Sequence, residues 1–227
     1  MIRRLTVAAL AAMLLPTLGM AEAAPAQTEL QPGARVSSSV GSCTLNFVFQ
    51  GSTSTFIGTA GHCAKDGERM RTGSGKEFGT VVFRENQGAP GIDFALIRVD
   101  SSFVSQVEPS VRSFGGPSGY TVANETNAGD LLFVTGYGIG FGSFAATRDR
   151  GGILLSDDAN EYRADLVAVQ GDSGGPLIHA RTGKALGVIS RFNLPFSTDI
   201  GPTMDAILRR LRASGFPNIE LATAPVN

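Results

Sequence analysis

Short apolar runs alternate with clusters of Gly, Asn, Asp and Ser along most of this 227-residue chain, and nearly every run has the length of a strand. The runs fall at 43–49, 54–60, 78–83, 94–99, 131–135, 143–147, 153–156, 177–180 and 185–190. Glycine supplies 29 of the 227 residues, against a usual share of about 7%, as many tight turns between strands would require. The spacing predicts an all-β sandwich or barrel. The runs 43–49 and 54–60 read as a hairpin joined across 50–52, and a long polar connection at 115–130 divides the β-rich part into two halves. One helix is expected over 204–213, with Ile207, Leu208 and Leu211 on one face, Arg209, Arg210 and Arg212 mostly on the other, and Gly215 and Pro217 ending it. No repeat of 20–50 residues stands out.

Composition narrows the function. The 19 basic and 20 acidic residues leave a net charge of -1, so neither a nucleic-acid footprint nor a polybasic membrane patch is expected. Arg3 and Arg4, the apolar stretch 5–18 and the small residues Ala21 and Ala23 have the pattern of a secretory signal peptide over 1–23. The expected protein is therefore exported, free of the membrane after signal removal, and monomeric. Residues 24–36 read as an N-terminal tail or short pro-segment, 37–215 as the folded domain, and 216–227 as a C-terminal tail. Cys43 and Cys63 are the only cysteines, and in an oxidising compartment a lone pair forms a disulfide. Two Cys and two widely separated His do not supply four zinc ligands, and no metal or cofactor is expected.

The sharpest motif is Gly171-Asp172-Ser173-Gly174-Gly175-Pro176. Glycines on both sides let substrate approach the serine and free backbone N–H groups to face a developing oxyanion. A serine nucleophile needs a base. His179 lies six residues after Ser173 on an expected strand that carries it away, so it reads as structural; His62, in Thr59-Ala-Gly-His-Cys63, is the expected base. Asp93 opens the apolar run Asp93-Phe-Ala-Leu-Ile97, where a carboxylate is costly unless paired, and an imidazole N–H is a suitable partner. Asp66 competes for that role, but its polar surroundings suit a solvated residue. Chain order separates the hydrolase types. An α/β-hydrolase needs an acid and then a His after the Ser, and a subtilisin needs an Asp before the His; neither occurs here. The order His, Asp, Ser remains.

Together these three motifs resemble those of the chymotrypsin-like serine proteases, over roughly residues 36–214, most closely the compact secreted bacterial members. The resemblance implies two six-stranded antiparallel β-barrels with a C-terminal helix, and a triad of His62, Asp93 and Ser173 in the cleft between them. It implies endopeptidase action on protein or peptide substrates through an acyl-enzyme. It also implies an oxyanion hole from the N–H groups of Gly171 and Ser173, a Cys43–Cys63 disulfide tying down the histidine loop, and a Ser190 segment that pairs with substrate backbone. Without the cleavable Ile-Val-Gly-Gly start of animal members, Asp172 needs an internal Arg, which the sequence does not single out. Val167 and Ala168 fall at the pocket base and Arg191 and Phe192 at its rim. With no acid at 167–168, small or medium apolar side chains are expected before the scissile bond. The alternatives are a catalytically silent binding module and an esterase on the same fold.

Overall fold

The computed structural model describes residues 28–87, 91–138, 149–193 and 198–227. The expected signal, 1–23, and the expected strand at 143–147 lie outside the described residues. The first half contains β1 (Arg35–Ser38), β2 (Gly41–Thr44), β3 (Val48–Gln50), β4 (Thr55–Thr59), β5 (Arg69–Thr72), β6 (Glu77–Asn86) and β7 (Asp93–Val99). The second contains β8 (Leu131–Thr135), β9 (Asp149–Asp157), β10 (Glu161–Leu166), β11 (Pro176–His179), β12 (Lys184–Val188), β13 (Arg191–Asn193) and β14 (Thr198–Pro202), followed by α1 (Met204–Ala213) and β15 (Glu220–Leu221). They form two antiparallel sheets, ordered β15-β3-β4-β7-β6-β5-β1-β2 and β12-β11-β8-β9-β10-β14-β13.

Both sheets curl because the chain ties their far sides together. In the first, β2 ends the order and β3 stands second from its other end, yet only residues 45–47 separate them. Three residues span about 10–14 Å, so the sheet must roll up to bring its ends that close. The bend is pinned on both sides: the Leu45 N–H donates to the Ala34 carbonyl at 2.8 Å, and the Asn46 N–H to the Gly58 carbonyl at 2.8 Å. Gly58 is required there, since a Cβ would stand 2.1 Å from Asn46 Oδ1. In the second sheet the outer strands β12 and β13 are joined through Ile189 and Ser190 alone. The structure is thus the all-β double barrel with one C-terminal helix.

Leu45, Ile57, Phe78 and Ile97 fill the first barrel, and Leu132, Leu154, Tyr162 and Leu166 the second. A third cluster joins Phe49, Phe94 and Leu96 of the first half to Ile178 and Val188 of the second, with Met204, Ile207 and Leu211 of α1 packed against both. Thr203 caps that helix, its Oγ1 accepting the Ala206 N–H at 3.2 Å, while Asp205 in the first turn and Arg210 and Arg212 in the last complement its dipole.

The strand count departs from six and six: the described residues give eight and seven. The run 43–49 is not one strand, because the bend at 45–47 splits it between the two ends of the sheet. Strand β10 escapes a search for apolar runs because only alternate residues, Tyr162, Ala164 and Leu166, are buried. The segments that flank the expected domain pack against it. Leu30 and Ala34 are buried and Glu108 N–H donates to the Leu30 carbonyl at 3.0 Å, so the chain joins the body before residue 36. At the other end β15 pairs with β3, and the Gly116 N–H donates to the Pro225 carbonyl at 2.6 Å, so backbone there finds partners in one strand and one connection of the body.

Cys43 in β2 is bonded to Cys63, which follows β4, closing a sequence separation of 20 residues. Replacing both cysteines by serine should lower the unfolding free energy by about 3 kcal/mol, read as an earlier urea midpoint.

Candidate active site

The residues that carry chemistry lie at the ends of the two curled sheets. After β4 the chain makes one turn of 3-10 helix, Gly61–Cys63, which presents His62. Asp93 is the first residue of β7, next to β4 in the sheet, and is 4% exposed. Its two oxygens clasp the histidine: the His62 N–H donates to Oδ1 at 2.8 Å and the ring Nδ1 lies 2.7 Å from Oδ2. A third donor comes from the other barrel, the Ser190 hydroxyl at 2.6 Å from Oδ2. Burial pushes the Asp93 carboxyl up, but the hydrogen bonds of the His62 ring, the Ser190 hydroxyl and the His62 N–H outweigh it and hold the group below the ordinary carboxylate range. The hydrogen bond to Asp93 raises the His62 imidazole above its ordinary 6.5, against burial and the nearby Arg84 charge, which lower it.

Ser173 is half-exposed, while Gly171, Asp172, Gly174 and Gly175 around it are buried. The turn is docked onto the first barrel. The Thr44 N–H donates to the Ser173 carbonyl at 2.9 Å, and the Thr44 hydroxyl to the Gly171 carbonyl at 2.7 Å. The Ser173 carbonyl oxygen also lies 3.8 Å from Cys63 Sγ, so the disulfide sits between the turn and the histidine helix. Gly174 takes φ 87°, and a Cβ there would meet Thr59 Oγ1 at 2.4 Å and Ala60 N at 2.7 Å, in the segment that leads through Gly61 to His62. His62, Asp93 and Ser190 are therefore joined by hydrogen bonds, and Ser173 is brought alongside through its backbone; among the described residues no hydrogen bond links Ser173 to His62. The N–H groups of Gly171 and Ser173 are not donors in any hydrogen bond among the described residues, whereas those of Asp172, Gly174 and Gly175 are. Cys43, His62 and Cys63 cluster closely enough to suggest a metal site, but both sulfurs are committed to the disulfide.

The structure identifies the arginine that the sequence could not single out. Arg150 of β9 lies with Nη1 2.6 Å from Asp172 Oδ2, and the Gly138 and Val169 N–H groups donate to the same carboxylate at 2.7 and 2.8 Å. Thr44 was also missed; a threonine after a cysteine carries no signal of its own. Of the expected pocket residues, Ala168 is buried, Val167 is 58% exposed, and Phe192 is 38% exposed. Arg191 is paired with Glu161. Asp66 is solvated, and Asp165, the nearest acid to the 167–168 segment, is exposed. His179 is buried in β11, with Nδ1 2.7 Å from Thr182 Oγ1 and Nε2 3.1 Å from Asp130, and it belongs to the structural framework. Arg150→Met should leave the Asp172 carboxylate buried without a counter-ion and cost about 3–5 kcal/mol in urea unfolding, with Arg150→Lys losing less.

Comparisons with known proteins agree with this architecture. The sequence matches the Trypsin family over residues 24–199. Thermobifida fusca Protease A is 23% identical and aligns over 86% of this chain and 98% of its own, with a TM-score of 0.57. Nocardiopsis protease is 18% identical, over 85% and 98%, at 0.60. A glutamic acid specific serine protease that uses a histidine triad in substrate binding is 15% identical, over 85% and 100%, also at 0.60. A search of curated proteins finds no match. The family match over most of the chain, on a double barrel that holds histidine, aspartate and serine motifs at one place, makes this protein a member of the Trypsin family and a serine endopeptidase by fold and kinship.

Proposed function

We propose that the chain is an exported serine endopeptidase that uses Ser173 as nucleophile, His62 as general base and acid, and Asp93 as the group that orients His62. The observation that carries this reading is the clasp of Asp93 on both the backbone and the ring of His62, beside the turn that holds Ser173. With Nδ1–H committed to Asp93, Nε2 is the imidazole nitrogen left to take the Ser173 proton as Oγ attacks the scissile carbonyl. The buried carboxylate then stabilises the imidazolium. The charge developing on the carbonyl oxygen falls to the N–H groups of Gly171 and Ser173, which have no acceptor among the described residues. Collapse passes the proton from His62 to the leaving amine and leaves an acyl-enzyme, which water hydrolyses by the same steps in reverse roles.

The disulfide suits an oxidising compartment and supports export. No described helix is long and apolar enough to cross a membrane. Small or medium apolar side chains are favoured before the scissile bond, since the 167–168 segment offers no charge to a buried cation. The histidine-triad recognition of the glutamate-specific relative does not carry over: this chain has two histidines, one at the triad and one held by Thr182 and Asp130.

Digestion of a peptide library tests the reading. Apolar residues should dominate before the cleaved bond, and a profile led by Arg or Lys would contradict the pocket assignment. Ser173→Ala and His62→Ala should each remove nearly all turnover, by several orders of magnitude, while His179→Ala keeps the chemistry. Cleavage of esters without peptides would favour the esterase, and an inert wild type the binding module. Because the base must be neutral and Asp93 raises His62, the acid limb of kcat/KM should have its midpoint above the ordinary histidine value of 6.5, with activity lost as pH falls through it.

A further inference from the structure

Asp199 is a third buried acid, and the active-site chemistry described above does not use it. It lies in β14 and is wholly buried, opposite Phe192 of β13 on one side and Ala164 of β10 on the other. Its Oδ2 is hydrogen-bonded to the Tyr162 hydroxyl, and the Ser190 N–H faces the same carboxyl. The same Tyr162 hydroxyl lies 3.0 Å from the Val188 carbonyl oxygen, and Pro176, the residue paired with Val188 across β11 and β12, has no N–H to offer it.

Proton counting decides how these contacts work. A phenol carries one hydrogen, and a carbonyl accepts only. If Tyr162 donates to Val188, its contact with Asp199 is a hydrogen bond only when Asp199 carries a proton and donates it to the phenol oxygen. If Asp199 is ionised, Tyr162 turns its hydrogen to the carboxylate and Val188 loses its donor. We infer that Asp199 is a positioning residue, held as the neutral acid, whose proton lets Tyr162 tie down Val188 and so fix the Ser190–Phe192 edge that follows it in the chain. Val188 ends β12, Ser190 donates to Asp93, and Arg191 opens β13, so a shift at Val188 is felt by the substrate-binding edge first. This inference rests on the proposed peptidase reading for its kinetic consequence alone.

The surroundings favour the neutral form. Burial pushes the Asp199 carboxyl up to about 7, and the Asp172 carboxylate also raises it. The Tyr162 hydroxyl, the Ser190 N–H and the Arg191 charge oppose this. Arg191 is drawn off by Glu161, and Asp172 is balanced by Arg150. Because the folded acid sits above its unfolded value, the stability it contributes is complete below the unfolded value and fades as pH rises through about 7.

The test compares the full-length protein with Asp199→Asn, whose amide N–H can donate to Tyr162 as the acid does. At pH 6 the wild type should show the infrared C=O band of a buried neutral carboxyl, missing in Asp199→Asn, and should lose it as pH passes about 7. Over the same range the ratio of the wild-type KM for a peptide to that of Asp199→Asn should rise about 2–10-fold, while the pH course of kcat set by His62 stays the same in both. The wild-type thermal midpoint should fall by a few degrees relative to the variant. A wild type without the band at pH 6, or with the same pH profiles as Asp199→Asn, overturns the inference. Should Asp199→Asn fail to fold, the wild-type infrared titration still decides the proton, and Tyr162→Phe should raise KM at every pH. A wild type that cleaves no peptide defeats the functional reading, while the infrared band and the thermal midpoints still decide Asp199.

Discussion

The buried carboxylate of Asp93 is the interaction on which the arrangement depends. A charge at 4% exposure is tolerable only when its oxygens are paired, and three donors supply this: the His62 amide, the His62 ring and the Ser190 hydroxyl. Two come from the 3-10 turn after β4 and the third from the segment that closes the second barrel. One desolvated acid thus fixes the orientation of an imidazole and ties the two halves together at the same point.

The segments that close the barrels also build the site. The first barrel closes through residues 45–47, and Thr44, just before that bend, anchors the serine turn through its amide and hydroxyl. The second closes through Ile189 and Ser190: Ile189 accepts the Gly174 N–H at 2.7 Å and Ser190 reaches Asp93. Chain that must bend to complete a barrel exposes backbone groups that β-ladders would otherwise consume. The site uses those groups to hold the serine turn against the histidine helix.

What could be read from the sequence follows from where each signal is local. The Gly171–Pro176 motif, the histidine beside Cys63 and the aspartate opening an apolar strand are contiguous in the chain, and the order His62, Asp93, Ser173 selected among serine hydrolases. The C-terminal helix was legible from its apolar face, which is the buried one. The missed features are non-local. Arg150 and Thr44 gain their meaning from partners 22 and 127 residues away, respectively Asp172 and Gly171. Strand β10 buries alternate residues between charged ones, β14 buries its single charged residue, and the segments beginning at Leu30 and ending at Val226 are held by backbone bonds that composition does not reveal.

Three buried acids show three physical solutions on one fold. Asp93 is held ionised by hydrogen bonds from His62 and Ser190, Asp172 is paired with Arg150 and two amides, and Asp199 shares a proton-bearing contact with Tyr162. The central claim is that the first of these turns Ser173 into a nucleophile. Labelling with a fluorophosphonate followed by peptide mapping tests it most directly. A single adduct on Ser173, formed in the wild type and abolished by His62→Ala, is the predicted result. No adduct, or one on another serine that persists without His62, would contradict it.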